Sequence, residues 1–364
     1  MGAHVSASMA LCSALLVGSD GLSTSAEPAA PGPGVPVLEF RQHVRALWKS
    51  EQFGDLEKIA EQARAGDLRC SDGYWQIAHF YDVLRRRDDP KSRDIWLDML
   101  DKAQRWAQAS PRSVTAKIVL AGAWTGYAWY SRGPGDAQAP IDSDERALFL
   151  ERLGKARAIL DEAQKLPVSD PHLFHIMQYV ARGEGWSRAR YEELFQKALQ
   201  LAPTYYSYYY EKTTYLLPKW YGQSGDLAKF AAEAGDATQA QEGDVIYSLV
   251  AVGTYFGTLD KEQTKNTAFF QQHGFSWPRT RKGLEEFDKR YPDSSSNLNC
   301  FALLACIARD KETTRTLLDR LGPNRVRGYW ANEGMFEECR DWSHDARPAK
   351  MGWLESLFSA IKGE

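Results

Sequence analysis

Ala163 and Ala198 occupy matching places in two helical blocks, residues 160–167 (LDEAQKLP) and 195–203 (FQKALQLAP), and stand 35 residues apart. A period of about 34 residues is that of stacked helix pairs, in which a small side chain lets two helices approach closely and a proline follows the second helix. A chain built at this step buries each pair against its neighbour and needs no sheet to make a core. Apolar residues recur at helical spacing through much of the chain. Leu56, Ile59, Ala60 and Ala63 form one stripe, and Trp96, Met99, Leu100, Ala103 and Trp106 a second. Phe149, Leu153, Ala156, Leu160 and Ala163 form a third, and Tyr191, Leu194, Phe195 and Ala198 a fourth. No comparable stretch alternates with period two. The expected fold is all-α, an α-solenoid of antiparallel helix pairs forming a superhelix, with helices of about 10 to 16 residues joined by short links. Pro111, Pro167, Pro203, Pro218, Gly274, Pro292 and Gly322-Pro323 punctuate those links.

The step from Ala103 to Ala163 is 60 residues, one period of about 34 with roughly 26 to spare. The surplus is assigned to residues 131–145 (SRGPGDAQAPIDSDE), read as a surface loop inserted after the helix that carries Trp124 and Trp129. The helical-repeat domain is expected over 38–364. It closes with a capping helix at 350–362, where Met351, Leu354, Leu357, Phe358 and Ile361 make a one-sided stripe. Ahead of it, residues 27–37 read as a Pro/Gly-rich linker. Residues 9–18 (MALCSALLVG) have the length of a signal-peptide core, too short to span a bilayer, and Thr24-Ser25-Ala26 follows. Residues 1–26 therefore read as a signal peptide. That places the protein in the periplasm or outside the cell, with no membrane span after signal removal. No Lys or Arg precedes Arg41, which keeps a cytoplasmic location as the alternative. Cleavage leaves Cys70, Cys300, Cys306 and Cys339. Cys306 with Cys339 is the candidate disulfide, against the alternative that all four are small buried hydrophobes.

A formal net charge of −3 provides no Lys/Arg surplus to neutralise phosphates, which argues against a nucleic-acid partner. Cys-x-x-Cys, His-Glu-x-x-His and Gly-x-Ser-x-Gly are all missing from the sequence. No catalytic residue, cofactor or metal set is assigned. His172 and His175 share a helix face without further ligands at matching spacing, and Glu333, Glu337, Glu338, Asp341 and His344 read as a solvated face around Cys339. The strongest binding signal is aromatic. Tyr205, Tyr206, Tyr208, Tyr209, Tyr210 and Tyr215 run into Trp220 and Tyr221. Tyr205, Tyr208 and Tyr209 fall on one helix face, as a groove gripping a peptide or stacking on sugar rings would need, or as rings filling the space between helix layers would. Arg132, with Gly133 and Gly135, offers a guanidinium fork to an anionic group.

Residues 129–137 (WYSRGPGDA), then 195–203, then 217–220 (LPKW) together resemble the bacterial family called domain of unknown function 4034, whose members are tetratricopeptide-like (TPR-like). The resemblance spans roughly 96–232, and the segment 291–342 is similar in style. Lys219 stands where the family pattern has Arg, and Tyr221 where Gly follows the Trp, so a pocket there would differ. The resemblance implies a TPR-like helical fold and no activity. The expectation is a non-enzymatic scaffold in the bacterial cell envelope that binds a protein or peptide partner in its concave groove. Trp124, Trp129, Arg132, Tyr205, Tyr208, Tyr209 and Trp220 are its partner-binding residues. A glycan-binding envelope module using the same rings is one alternative. An enzyme with a carboxylate site at Asp136, Asp142 or the Glu333 to His344 cluster is the other.

Overall fold

The computed structural model describes residues 34–65, 68–85, 92–133, 142–258, 267–330 and 333–345. Among these 76% are helical, in 16 α-helices, and the extended backbone is limited to an isolated bridge between Arg69 and Trp75. They divide into two compact units at Gln223 and Ser224, where the sequence reading has a single repeat domain over 38–364. The first unit contains α1 (Val37–Lys49), α2 (Phe53–Ala65), α3 (Gln76–Leu84), α4 (Arg93–Ala109), α5 (Val114–Arg132), α6 (Ser143–Ala163), α7 (Pro171–Glu184), α8 (Arg188–Leu201) and α9 (Tyr206–Tyr215). The second contains α10 (Asp226–Glu242), α11 (Val245–Thr258), α12 (Phe269–His273), α13 (Trp277–Arg290), α14 (Ser295–Ile307), α15 (Lys311–Leu321) and α16 (Glu333–Ser343). The signal-peptide reading of 1–26, most of the linker and the capping helix at 350–362 lie outside the described residues. Among the described residues no helix is long and apolar enough to cross a membrane.

Local chemistry sets where the helices start. Ser92, Ser113, Asp142, Asp170 and Ser187 stand just ahead of α4 to α8, and each side-chain oxygen accepts a backbone N–H of the first turn. Caps of this kind satisfy donors that the helix itself cannot, at about 1 kcal/mol each. In the first unit, neighbours in sequence pack on each other, and so do alternate helices: α1 on α3, α5 on α7, and α7 on α9. Burial follows the same division. α2, α4, α6 and α8 bury one stripe each, whereas α3, α5, α7 and α9 are buried on nearly every side. Ala103, Ala163 and Ala198 all fall on the buried stripes of α4, α6 and α8.

The two ends of the expected loop are helical: α5 continues through Arg132 and α6 begins at Ser143, giving helices of 19 and 21 residues that take up part of the surplus. Asp142 caps α6, and Asp144 and Glu145 in its first turn suit the positive end of the helix dipole. Residues 134–141 lie outside the described residues.

In the second unit α11 packs on α10 and α13, and α14 on α13 and α15. Asp244, just ahead of α11, takes Arg279 Nε and Lys282 Nζ of α13, each at 2.7 Å. These two cations hold its carboxyl below the usual range against the upward push of burial. Cys306 of α14 and Cys339 of α16 are disulfide-bonded, and Cys70 and Cys300 are free and buried. α16 is less exposed than its acidic sequence suggests, because Met335, Phe336 and Cys339 are buried. Its polar side carries the ion pairs of Glu337 with Arg325 and Arg340, and His344 follows with a 2.7 Å bond to Asp319.

Two predictions follow from packing. A Cβ on Gly126 of α5 would come 2.4 Å from Cζ3 of buried Trp96 on α4. Gly126→Ala should therefore destabilise the protein by about 1–3 kcal/mol. In a Trp96→Ala background the same change should turn stabilising by up to about 1 kcal/mol, the helix-propensity gain alone. Urea unfolding of the four proteins reads the sign reversal. Replacing both Cys306 and Cys339 with Ala opens a link across 33 residues and should cost the second unit roughly 3–4 kcal/mol. Calorimetry should show this loss in one transition only.

Candidate functional site

The tyrosine cluster expected to line a groove is core. Tyr205, Tyr208 and Tyr209 are 0%, 0% and 1% exposed, and Tyr206 and Tyr210 are buried with them. Residues 68–75, a turn closed by the Arg69–Trp75 bridge, pack on Tyr205, Tyr206 and Tyr210. Tyr74 packs edge-on against Tyr206 and parallel to Tyr210, and Trp75 meets Tyr205 edge-on. Trp75 Nε1 donates to Thr204 O at 3.0 Å, and the Arg69 guanidinium lies 4.8 Å from the Tyr206 ring. Three of the hydroxyls have internal partners here: Tyr205 shares a 2.7 Å bond with His172 Nδ1, while Tyr208 and Tyr209 donate to the carbonyls of Pro171 and Pro203. Burial pushes the Tyr205 and Tyr208 phenols well up, so both stay protonated. His172, weighed above as a ligand, is thereby part of this network. It also stacks on Tyr81, whose hydroxyl donates to Asp170 at 2.7 Å.

Two of the other expected residues do meet at an opening. A cavity of about 130 Å³ in the first unit is lined by Arg132 from the end of α5 and by Arg146, Phe149 and Leu150 from the start of α6. Gly183 and Glu184 from the end of α7, then Gly185, Trp220 and Tyr221, complete its wall. The α5–α6 hairpin brings Arg132 and Arg146 to one place although 14 residues separate them. α7 ends at Gly185, which takes φ 69° and donates its N–H to Ala181 O. A side chain there would be strained by the left-handed backbone and pressed to 3.4 Å of the Tyr221 hydroxyl.

Cations and rings alternate behind the opening. The Arg132 guanidinium lies 5.3 Å from the Trp220 ring and 5.7 Å from Trp129. Deeper in, Arg182 lies 4.4 Å from Trp129 and 4.7 Å from Trp220, and its Nε donates to Glu211 Oε1 at 2.6 Å. The two indoles meet edge-on at 5.5 Å. Each cation thus faces the electron-rich side of the same ring pair, worth about 2 kcal/mol or more where water is excluded. Tyr221 donates to the Arg182 carbonyl at 2.8 Å. Burial raises its phenol, and Arg182, Arg132 and Arg146 pull it back. Glu184 is the acid at the rim, and its Oε2 accepts from Arg157 at 3.0 Å and from Trp186 Nε1 at 2.8 Å. Arg146 is exposed and makes no ion pair among the described residues. The arrangement can attract an anion against an aromatic wall.

Of the expected binding residues, Arg132 and Trp220 line this cavity and Trp129 stands behind them. Trp124, half-buried on another side of α5, packs near Tyr127 with Lys155 Nζ 4.6 Å above its ring. Arg146, Phe149, Glu184 and Tyr221 were missed. Tyr221 carries a sequence signal as the end of the aromatic run, and Phe149 as part of a helical stripe. No family model matches this chain, and no curated protein matches it. The corrected role of the tyrosines gives a direct test. Tyr205→Phe should cost about 1 kcal/mol by removing the bond between its hydroxyl and His172 Nδ1, and Tyr205→Ala about 3–5 kcal/mol by emptying the core. A groove-facing ring would show neither loss in urea unfolding.

Proposed function

We propose that the chain is a non-enzymatic, TPR-like helical scaffold that binds a protein partner, and that its contact point in the first unit is the Arg132–Trp220 cavity rather than a tyrosine-lined groove. The observation that carries this reading is the cavity itself, where Arg132 and Arg146 stand against aromatic walls beside Leu150, an apolar side chain 38% exposed. Arginine and tryptophan in a partly desolvated hollow are the residue types that dominate partner affinity. The alternating layers support the solenoid part of the proposal, since outer helices with one wet face and inner helices with none are what stacked helix pairs produce. A location in the bacterial cell envelope rests on the signal-peptide reading of residues 1–26. Kinship with the domain of unknown function 4034 family rests on the motifs at 129–137 and 217–220.

Capture from lysates of the native cells, followed by mass spectrometry, tests the proposal on three proteins: wild type, Leu150→Glu and Arg146→Ala. Both substitutions lie on exposed positions and should leave the melting temperature unchanged. One protein should be enriched on the wild type, with each variant losing at least about 1 kcal/mol of its binding. Retention of the same protein by both variants, or enrichment of none, would refute the assignment of this cavity.

A further inference from the structure

Helix α16 is joined to α14 by a covalent bond that outweighs its other contacts. We propose that α16 is a lid latched by the Cys306–Cys339 disulfide, and that a dithiol reductant releases it while the rest of the second unit stays folded. The stretch that leads into α16 is fixed without the latch. Asn299 of α14, 0% exposed, donates from Nδ2 to Asn324 O at 3.1 Å, and its Oδ1 accepts from Val326 N at 3.1 Å and from Trp330 Nε1 at 3.0 Å. Tyr329 packs edge-on against Phe256 of α11. Both anchors end at Trp330, ahead of the first residue of α16.

Beyond Trp330 the hold is weaker. The buried apolar side chains of α16 are Met335, Phe336 and Cys339, and Phe336 meets the Trp330 ring edge-on at 5.0 Å. Its polar clasps are Lys311 with Asp345, His344 with Asp319 and Arg325 with Glu337. Each of these is open to water on at least one side, where an ion pair adds little. Eleven residues are too few to keep a helix formed alone, so α16 is ordered only while docked. The disulfide, closing a link of 33 residues, adds more than any one of these contacts.

The latch lies under its own lid. Cys306 and Cys339 are each 1% exposed, so a thiolate reaches their sulfurs only when α16 lifts. The attacking thiolate then bonds to one sulfur and displaces the other cysteine as a thiolate. The reductant's second thiol breaks that mixed disulfide and departs as a cyclic disulfide. Two electrons and two protons pass to the cysteines, and the dithiol is oxidised by the same amount. Release uncovers the Trp330 indole and the Phe336 ring, which cover each other in the closed form.

The test is hydrogen exchange of the full-length protein, read by mass spectrometry before and after dithiothreitol. Reduction should lower the protection of α16 about a hundredfold, and leave α14, α15 and residues 322–330 within severalfold of the disulfide-bonded protein. In the disulfide-bonded protein, Phe336→Ala should speed reduction by dithiothreitol about tenfold, because a lid that opens more often presents the sulfurs more often. Should Phe336→Ala fail to fold, Asp319→Asn at an exposed clasp reports the same rate, with a severalfold gain expected. Loss of protection in α14 and α15 together with α16 overturns the lid, since the bond then holds the whole unit. Unchanged protection in α16 overturns the latch. A reduction rate that both substitutions leave unchanged overturns the shielding of the sulfurs by α16.

Discussion

The buried ion pair between Arg182 and Glu211 is the constraint on which the cavity depends. Both side chains are 1% exposed, and either charge left alone there would cost several kcal/mol. α7 and α9 must therefore meet in the one register that joins them. That register also decides where the indoles stand, because Trp129 from α5 and Trp220 from the turn after α9 close on the same guanidinium. With Arg182 Nη1 lacking a hydrogen-bond partner among the described residues, the ring faces supply what the carboxylate does not. Arg132 is then placed by rings that the core has already fixed. The opening at the surface is the outer layer of an electrostatic arrangement that begins inside.

Periodicity revealed some helices and not others, and for a physical reason. The four stripes legible in the sequence belong to α2, α4, α6 and α8, each with one face in water and one in the core. α5 and α11 bury residues at nearly every position, so hydropathy has no wet face to contrast with and shows no stripe. Helical class survives this blindness, since alternate elements still declare themselves and nothing alternates with period two. The ends of the 131–145 segment read as loop because Asp142, Ser143, Asp144 and Glu145 look like turn residues, when they are the cap and first turn of a helix.

The tyrosines failed for a different reason. A phenol can be buried wherever its hydroxyl finds an acceptor, and acceptors are a property of tertiary structure. Pro171 and Pro203 offer carbonyls to Tyr208 and Tyr209, and His172 offers a ring nitrogen to Tyr205, none of which spacing along the chain could disclose. Arg132 and Trp220 were legible because a guanidinium beside glycines and a Trp closing an aromatic run are local signals. Arg146 and Glu184 reach the cavity only through the way α6 and α7 cross it, and were not.

The disulfide has a consequence for how the protein senses its surroundings. Cys306 and Cys339 both belong to the second unit, while the lone thiol of the first described unit, Cys70, is buried and pushed far above the ordinary range by desolvation and the nearby Asp72 charge. A thiolate is the species that reacts. A change from oxidising to reducing surroundings is therefore felt by one half of the polypeptide, which would loosen at α16, while the half that carries the arginine-lined opening keeps its shape.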